Sequence, residues 1–457
     1  MPDQSFDLVI LGGGSGGYAA ALRASELGMS VGMIEKDKVG GTCLHRGCIP
    51  TKALLHAAEI ADAARDSAHY GIRATLEGVD IPAVTSYRTG IVAKKHKGLQ
   101  SLLKARGITT IEGAGRLTSP TTVQVGDSTI TGKNVVLATG SYSRSLPGLE
   151  LGGRVIASEQ ALELDFVPKK VAVLGGGVIG VEFASVWKSF GADVVIIEAL
   201  PHLIPNEEEV LSKALERAYR RRGIDYKLGI RFQSVRQDDS GVVVTLENGD
   251  TVEADLLLVA VGRGPATQNT GFEEAGVTLD RGFVTVNDRL ETSLPGVYAV
   301  GDIVFGLQLA HRSFQQGIFV AEELAGLNPA IVSDVNIPRI TYCEPEVASV
   351  GLTEAGAVEQ FGRDQVIAYD YSLAGNARSE ILGTTGSIKV VRKKDGPVLG
   401  VHGIGSRVGE LIGEAQLVVN WEAYPEDVAP FIHGHPTQYE ALGEAFLALA
   451  GKPLHAL

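Results

Sequence analysis

The sequence predicts an α/β chain that closes with a separate α+β segment. Three observations carry this: a strand, glycine turn, helix, strand unit that occurs twice, at residues 6–37 and 169–200; further buried apolar strands that end in glycine turns; and a change to period-two alternation from about residue 336. At 457 residues the chain exceeds one ordinary core, so about two to four domains are expected.

The repeat is gapless. FDLVILGGGSGGYAAALRASELGMSVGMIEKD and KKVAVLGGGVIGVEFASVWKSFGADVVIIEAL superpose so that Gly12, Gly14 and Gly17 pair with Gly175, Gly177 and Gly180, and Glu35 pairs with Glu198. In such a unit the first glycine permits a tight turn, the second lets backbone N–H groups approach a pyrophosphate, and the third lets helix and strand pack closely. The helix N-terminus turns its partial positive charge toward the phosphates. A carboxylate about 20 residues on accepts the ribose hydroxyls of an adenosine without a 2′-phosphate. Two Rossmann-like domains and two dinucleotides follow. Glu198 is succeeded by Ala199, Leu200 and Pro201, with no arginine at hand for a 2′-phosphate, so the second unit is expected to take NAD. Spacing does not identify the dinucleotide of the first.

Between the units lie a helical stretch, about 52–105, and a strand-rich one ending in NVVLATG, which carries Thr139 and Gly140. Strands near 242–261 interrupt the second unit in the same way and end in VAVGRGP, with Gly262 at the turn. A third apolar strand, GVYAVGD, ends at Asp302; a carboxylate there suits a hydroxyl-rich ligand, or serves an ordinary Asp turn. The divisions read as 1–148 for the first nucleotide domain, 149–268 for the second, 269–335 for a return to the first, and 336–457 for the last domain. In that last segment NIPRITYCEPEVASVGL alternates like an antiparallel strand, GSIKVVRKKDGPVLGVHGIG reads as a hairpin, and two helices close the chain.

Composition narrows the partners. A net charge of −13 disfavours nucleic acid and anionic membrane surfaces, which are themselves negative. No apolar run is long enough to span a bilayer; DLLLVAVG at 255–262 reads as a buried strand. MPDQSFDLVILGGG has no basic residues ahead of its apolar run, unlike a secretory leader, so a cytoplasmic location is expected.

Of three cysteines, two fall in GGTCLHRGCIPTK at 40–52. The flanking residues predict a helix that opens at this pair and runs to about residue 65. In a regular helix, residues five apart have Cα atoms roughly 8.6 Å apart and side chains diverging by about 140°, whereas a disulfide needs Cα atoms within about 7 Å. A bond between Cys43 and Cys48 therefore requires a distorted first turn, with Gly47 best able to absorb it. A metal site lacks further ligands at suitable spacing, and a staple closing so small a loop restrains little chain entropy. A redox-active pair, with Lys52 and a helix N-terminus to stabilise a thiolate, is the favoured reading. Cys343 reads as a small buried residue in a strand. Thiol chemistry also wants a proton carrier near neutrality. FIHGHPTQYEALGEAF offers His433 and His435, and Glu440 either orients an imidazole or, with Thr437, forms a helix capping box.

Taken together, these residues resemble the flavin-dependent pyridine nucleotide-disulfide oxidoreductases, most closely the dihydrolipoyl-oxidising branch. The resemblance runs through GGGSGG, GGTCLHRGCIPTK, ATG, GGGVIGVE, VGR, VGD, LAH at 309–311, YCEPEVASVGLT and HPTQYE. It implies FAD at the first unit, with Glu35, Lys52, Gly115, Asp302 and Ala310 around it, NAD at the second, and a C-terminal dimerisation domain in a homodimer. It further implies that Cys43 exchanges with substrate and Cys48 faces the flavin. His435, oriented by Glu440, comes from the partner subunit as base, and Lys52 with Glu182 lies near flavin and nicotinamide. The implied activity is NAD-linked oxidation of a lipoyl-carrying protein in a 2-oxoacid dehydrogenase or glycine-cleavage complex. Reduction of a low-molecular-weight disulfide and a non-catalytic flavoprotein scaffold are the alternatives. The sequence departs from the family pattern at LHRGC, where LNxGC is commoner, and at Cys343, where threonine is often found.

Overall fold

A computed structural model describes residues 3–455; Met1 and Pro2, at the head of the leader reading, lie outside the described residues, as do the last two. The first sheet is built on β1 (Gln4–Leu11), paired in parallel with β2 (Val31–Glu35) on one side and Ser128–Leu137 on the other. Thr109–Glu112 extends it beyond β2, and Val297–Ala299 extends it beyond Ser128–Leu137. The chain thus leaves this sheet and returns to it after the second unit. Leu8, Val9 and Ile10 are fully buried, as a parallel strand covered on both faces requires. α1 (Ser15–Glu26) buries small residues, which lets the helix Ala310–Leu324 lie close: a Cβ at Gly317 would fall 2.3 Å from Gly16 O.

The second sheet repeats the first. Lys170–Leu174 stands between Asp193–Ile197 and Leu256–Val259, with Ile224–Lys227 and Val155–Ile156 outside them, all parallel. DLLLVAVG behaves as expected, with Leu256–Val259 buried throughout. Each unit also carries antiparallel strands ahead of its last parallel strands: Gly115–Ser119 and Thr122–Val125 in the first, Phe232–Asp238, Gly241–Leu246 and Thr251–Ala254 in the second.

The C-terminal segment is a five-stranded antiparallel sheet in the order Arg339–Thr341, Glu346–Gly351, Val398–Gly405, Ser387–Lys393, Val366–Ser372. Helices Val408–Asn420 and Glu440–Leu449 pack on it through Ile412, Ala415, Leu442 and Phe446. The α/β class with a terminal α+β domain is therefore as expected, and so is the hairpin near residue 395. One detail differs. NIPRITYCEPEVASVGL forms two strands instead of one, because Pro345 has no N–H for a ladder and the pairing lapses around it. Cys343 consequently sits in the connection between them, still buried, and donates to Pro345 O. Among the described residues no helix is long and apolar enough to cross a membrane.

Candidate active site

The two glycine turns are near copies. Gly12 and Gly175 both have φ +111°, and a Cβ on them would strike the carbonyl of the neighbouring strand, Ala138 O at 2.2 Å and Ala260 O at 2.4 Å. A Cβ on Gly17 or Gly180 would fall within 2 Å of the first glycine's own carbonyl, at 1.8 and 1.9 Å. The middle glycines differ from these: Gly14 would meet only Gly41 Cα at 3.9 Å, and Gly177 nothing within 4 Å. First and third glycines thus serve packing, and the second leaves open space at a helix N-terminus that has no acidic residue in its first turn. Glu35 accepts from the Gly13 and Asp37 N–H groups at 2.7 and 2.9 Å, and Glu198 from Gly176 and Leu200 at 2.6 and 2.8 Å. Both cradles fit a dinucleotide pyrophosphate, with a carboxylate fixed beside each.

The cysteines lie on two helices. α2 (Gly41–Arg46) ends before Gly47, whose φ and ψ of −144° and −113° break the run, and α3 (Cys48–Asp66) begins anew. A Cβ at Gly47 would stand 3.1 Å from Thr42 O. The break brings together two side chains that a continuous helix would hold apart. Both are free thiols, and Cys43 hydrogen-bonds to Cys48. Accepting that bond, with help from the Lys52 charge, lowers Cys48 to about 7 although burial pushes it up. Donating the bond, together with burial, pushes Cys43 far above the ordinary thiol range. The reduced pair holds one proton on Cys43 and favours a thiolate on Cys48 near neutrality.

These thiols line a cavity of about 220 Å³ where α2, α3 and the first glycine turn meet the second unit's helix Val178–Ser189. Gly14, Lys52, Gly140, Glu182, Asp302 and Ala310 line it too. Lys52 Nζ lies 2.9 Å from both Glu182 oxygens and 4.8 Å from the centroid of the Tyr342 ring. Burial opposes the ammonium charge, but the Glu182 carboxylate outweighs it and holds Lys52 above its ordinary value. Glu182 also accepts the Tyr342 N–H at 2.9 Å. Asp302 accepts from Ser141 Oγ at 2.5 Å. Of the two residues in the unusual LHRGC, Arg46 reaches the cavity and pairs with Asp37. His45 does not line it; its Nε2 lies 3.0 Å from Val39 O and its ring packs edge-on against His96.

Other expected residues sit elsewhere. Gly115 opens its antiparallel strand against Leu11 and Val123, Thr139 donates to Ala266 O, and Gly262 accepts from the Arg144 N–H. His435 Nδ1 lies 2.9 Å from Glu440 Oε1, and Glu440 Oε2 accepts the Thr437 N–H at 2.7 Å. Glu440 thus holds the imidazole, but the capping box does not form: the helix begins after Tyr439 with no side-chain cap, and Thr437 Oγ1 donates to Gly434 O at 2.6 Å instead. His433 is held separately by Glu414 at 2.9 Å. The His435 side chain is 72% exposed, and among the described residues none beyond Ser313 lines the thiol cavity. Just ahead of it Phe431 and Ile432 are 67% and 98% exposed.

Some supporting residues were not singled out from sequence. Arg222 donates to Asp62, Ser185, Ser189 and Glu344 O, tying α3, the second unit and the C-terminal segment at one point. Arg263, within VGR, donates to Ser141, Ser143 and Glu159 behind Asp302. Tyr342 opens YCEPE. Only the motif membership of Arg263 and Tyr342 was a signal; their partners are over a hundred residues away.

A fold of two nucleotide cradles with a thiol pair between them defines a flavoprotein oxidoreductase that moves electrons between sulfur and a nicotinamide. The chain belongs to the pyridine nucleotide-disulphide oxidoreductase family, which residues 6–317 match, while residues 337–446 match that family's dimerisation domain. FAD and NAD are the cofactors of this family. Among its relatives is dihydrolipoyl dehydrogenase of Bacillus subtilis, 36% identical over 471 residues and covering 98% of this chain and 99% of the relative. Mitochondrial dihydrolipoyl dehydrogenase 1 of Arabidopsis thaliana is 38% identical, covering 98% and 91%. The crystal structure of LpdA from Mycobacterium tuberculosis superposes with a TM-score of 0.90 at 26% identity, covering 98% of this chain and 99% of that one. The dimerisation match supports a homodimer.

Proposed function

We propose that this chain oxidises a protein-bound dihydrolipoyl dithiol to its disulfide and delivers the electrons to NAD, as a homodimer serving a 2-oxoacid dehydrogenase or glycine-cleavage complex. The observation that carries this is the Cys43–Cys48 pair, which lines one cavity at the junction of both nucleotide units together with Lys52 and Glu182. A substrate thiolate attacks Cys43 Sγ in the oxidised pair, the bond to Cys48 breaks, and Cys48 leaves as thiolate. The nearby Lys52 charge stabilises that thiolate and so favours its departure. The second substrate thiol gives its proton to His435 Nε2, which faces outward because Glu440 engages Nδ1. That thiolate attacks the substrate sulfur bound to Cys43, closing the substrate disulfide and releasing Cys43. Two electrons then reside on the Cys43–Cys48 dithiol. When bound, FAD and NAD supply the two-electron and hydride acceptor chemistry that restores the disulfide.

The Gly12–Gly17 turn, Glu35, Lys52, Gly115, Thr139, Gly140, Asp302 and Ala310 would hold FAD. The Gly175–Gly180 turn, Glu182, Glu198 and Gly262 would hold NAD. The exposed Phe431 and Ile432 beside His435 form a surface that a second subunit would cover, carrying His435 to the partner's thiols. Steady-state turnover with dihydrolipoamide tests the reading: NAD is expected to be reduced far faster than NADP. Negligible dihydrolipoamide oxidation beside rapid reduction of a small disulfide would overturn it.

A further inference from the structure

A second cavity, of about 300 Å³, lies away from the thiols. One wall is the helix Glu209–Arg222 of the second nucleotide unit, and the other is the sheet of the C-terminal segment. This helix is rich in cations, and most are satisfied locally. Lys213 pairs with Glu209, Arg220 donates to Tyr226 at 2.7 Å, and Arg222 is committed to Asp62 and its neighbours. Arg217 and Arg221 are the exceptions. Neither has a hydrogen bond or ion pair among the described residues, and both line the cavity. Four residues apart, they share one helix face, where two like charges repel unless an anion lies between them. The chain carries a net charge of −13, so carboxylates to neutralise them were plentiful, yet none is placed there within ion-pair distance.

The facing wall is of a different character. Asp370, Thr385 and Ser387 line it from the C-terminal segment, and Asp370 has no ion pair either. Ala214 and Ile404 supply an apolar surface between the walls. We infer that this cavity binds a small phosphorylated metabolite with free hydroxyls, its phosphate on Arg217 and Arg221 and its hydroxyls toward Asp370 and Thr385. Paired guanidinium groups suit phosphate because their N–H donors match its oxygens two at a time. A carboxylate opposite repels bare phosphate and accepts from hydroxyls, so it selects the hydroxylated ligand over the inorganic ion. Such a ligand bridges the second nucleotide unit and the C-terminal sheet.

The test is calorimetric titration of the FAD-loaded enzyme with ribose 5-phosphate and with inorganic phosphate, NAD present at saturation so that both dinucleotide cradles are filled. Saturable binding of ribose 5-phosphate, tighter than that of phosphate, is expected. The double substitution Arg217→Gln, Arg221→Gln is expected to weaken both by about tenfold or more, with dihydrolipoamide turnover unchanged because neither arginine is in the thiol site. Asp370→Asn is expected to tighten inorganic phosphate and narrow the preference for the sugar phosphate. Tighter binding of bare phosphate than of ribose 5-phosphate would overturn the assignment of a hydroxylated ligand. No saturable binding, or binding indifferent to both substitutions, would overturn the site itself. The Arg217→Lys, Arg221→Lys enzyme guards against misfolding, since it keeps the charge and is expected to retain weakened binding.

Discussion

The two nucleotide units are alike from the first strand to the carboxylate and diverge immediately after it. Following Glu35, the first unit turns inward through Gly40 and Gly41 into α2 and α3, which set Cys43 and Cys48 against the second unit's helix. Following Glu198, the second unit turns outward. Its loop carries Glu207 to Arg339 at 3.1 Å and Glu208 to Lys389 at 2.8 Å, fixing the C-terminal sheet. The shared part binds a class of ligand. The divergent part decides what is done with it: reactive sulfur in one unit, attachment of the segment that bears His435 in the other.

Substitutions can break this division of labour, and the largest effect is expected at the thiols. Cys48→Ser should lower kcat for dihydrolipoamide at least about 10³-fold, as loss of a reacting group does elsewhere, while bound flavin measured by absorbance stays stoichiometric. His435→Gln, removing the proposed base, should cost about 10²- to 10⁴-fold in kcat; retention of full turnover would show that another group takes the proton. Lys389→Met leaves Glu208 and Glu354 without their buried cation, and denaturant unfolding should show a loss of about 3–5 kcal/mol. The paired carboxylates probe the shared half directly. Glu198→Gln should raise the KM for NAD about tenfold, and Glu35→Gln should weaken flavin retention instead; identical effects of the two would erase the distinction between the units.

The smallest expected effect is on the thiol equilibrium. Ultraviolet thiolate absorbance of the reduced enzyme should rise with a midpoint near pH 7, since Cys48 is lowered to about 7. The sign follows from the charge: Lys52 favours the anion, so the thiolate is lost as pH falls through that midpoint. In Lys52→Met the midpoint should move upward by about one pH unit or more. An unchanged midpoint would remove Lys52 from the thiol's electrostatics.

Much of this was legible in the sequence because it is local. The glycine turns, the carboxylates after them and the Cys43–Cys48 spacing are fixed by residues near one another; one helix opening at the cysteines is expected there, with Gly47 as the place for a distortion if they bond, and two helices parted at Gly47 are found. What was hidden is what the fold brings from afar. Arg222 gathers Asp62 and Glu344 from opposite sides, and Arg263 reaches Ser141 across 122 residues. No pattern in the sequence couples those positions. Cys343 lies outside the strand that the alternation predicts, because the missing donor of Pro345 interrupts the ladder while the alternation runs on past it. Thr437 and Glu440 match a capping box in spacing, yet the helix starts two residues later than that pattern predicts, so Glu440 is left to hold His435 and the Thr437 N–H.

Thiols and base are proposed to work together across a subunit boundary. Tagged Cys48→Ser and His435→Gln chains, each nearly inactive as a homodimer, can be co-expressed and the hybrid isolated through both tags. The hybrid is expected to oxidise dihydrolipoamide at about half the wild-type rate per dimer, because a two-fold dimer then holds one intact site. A hybrid as inactive as its parents would contradict the claim and place Cys48 and His435 of each site within one chain.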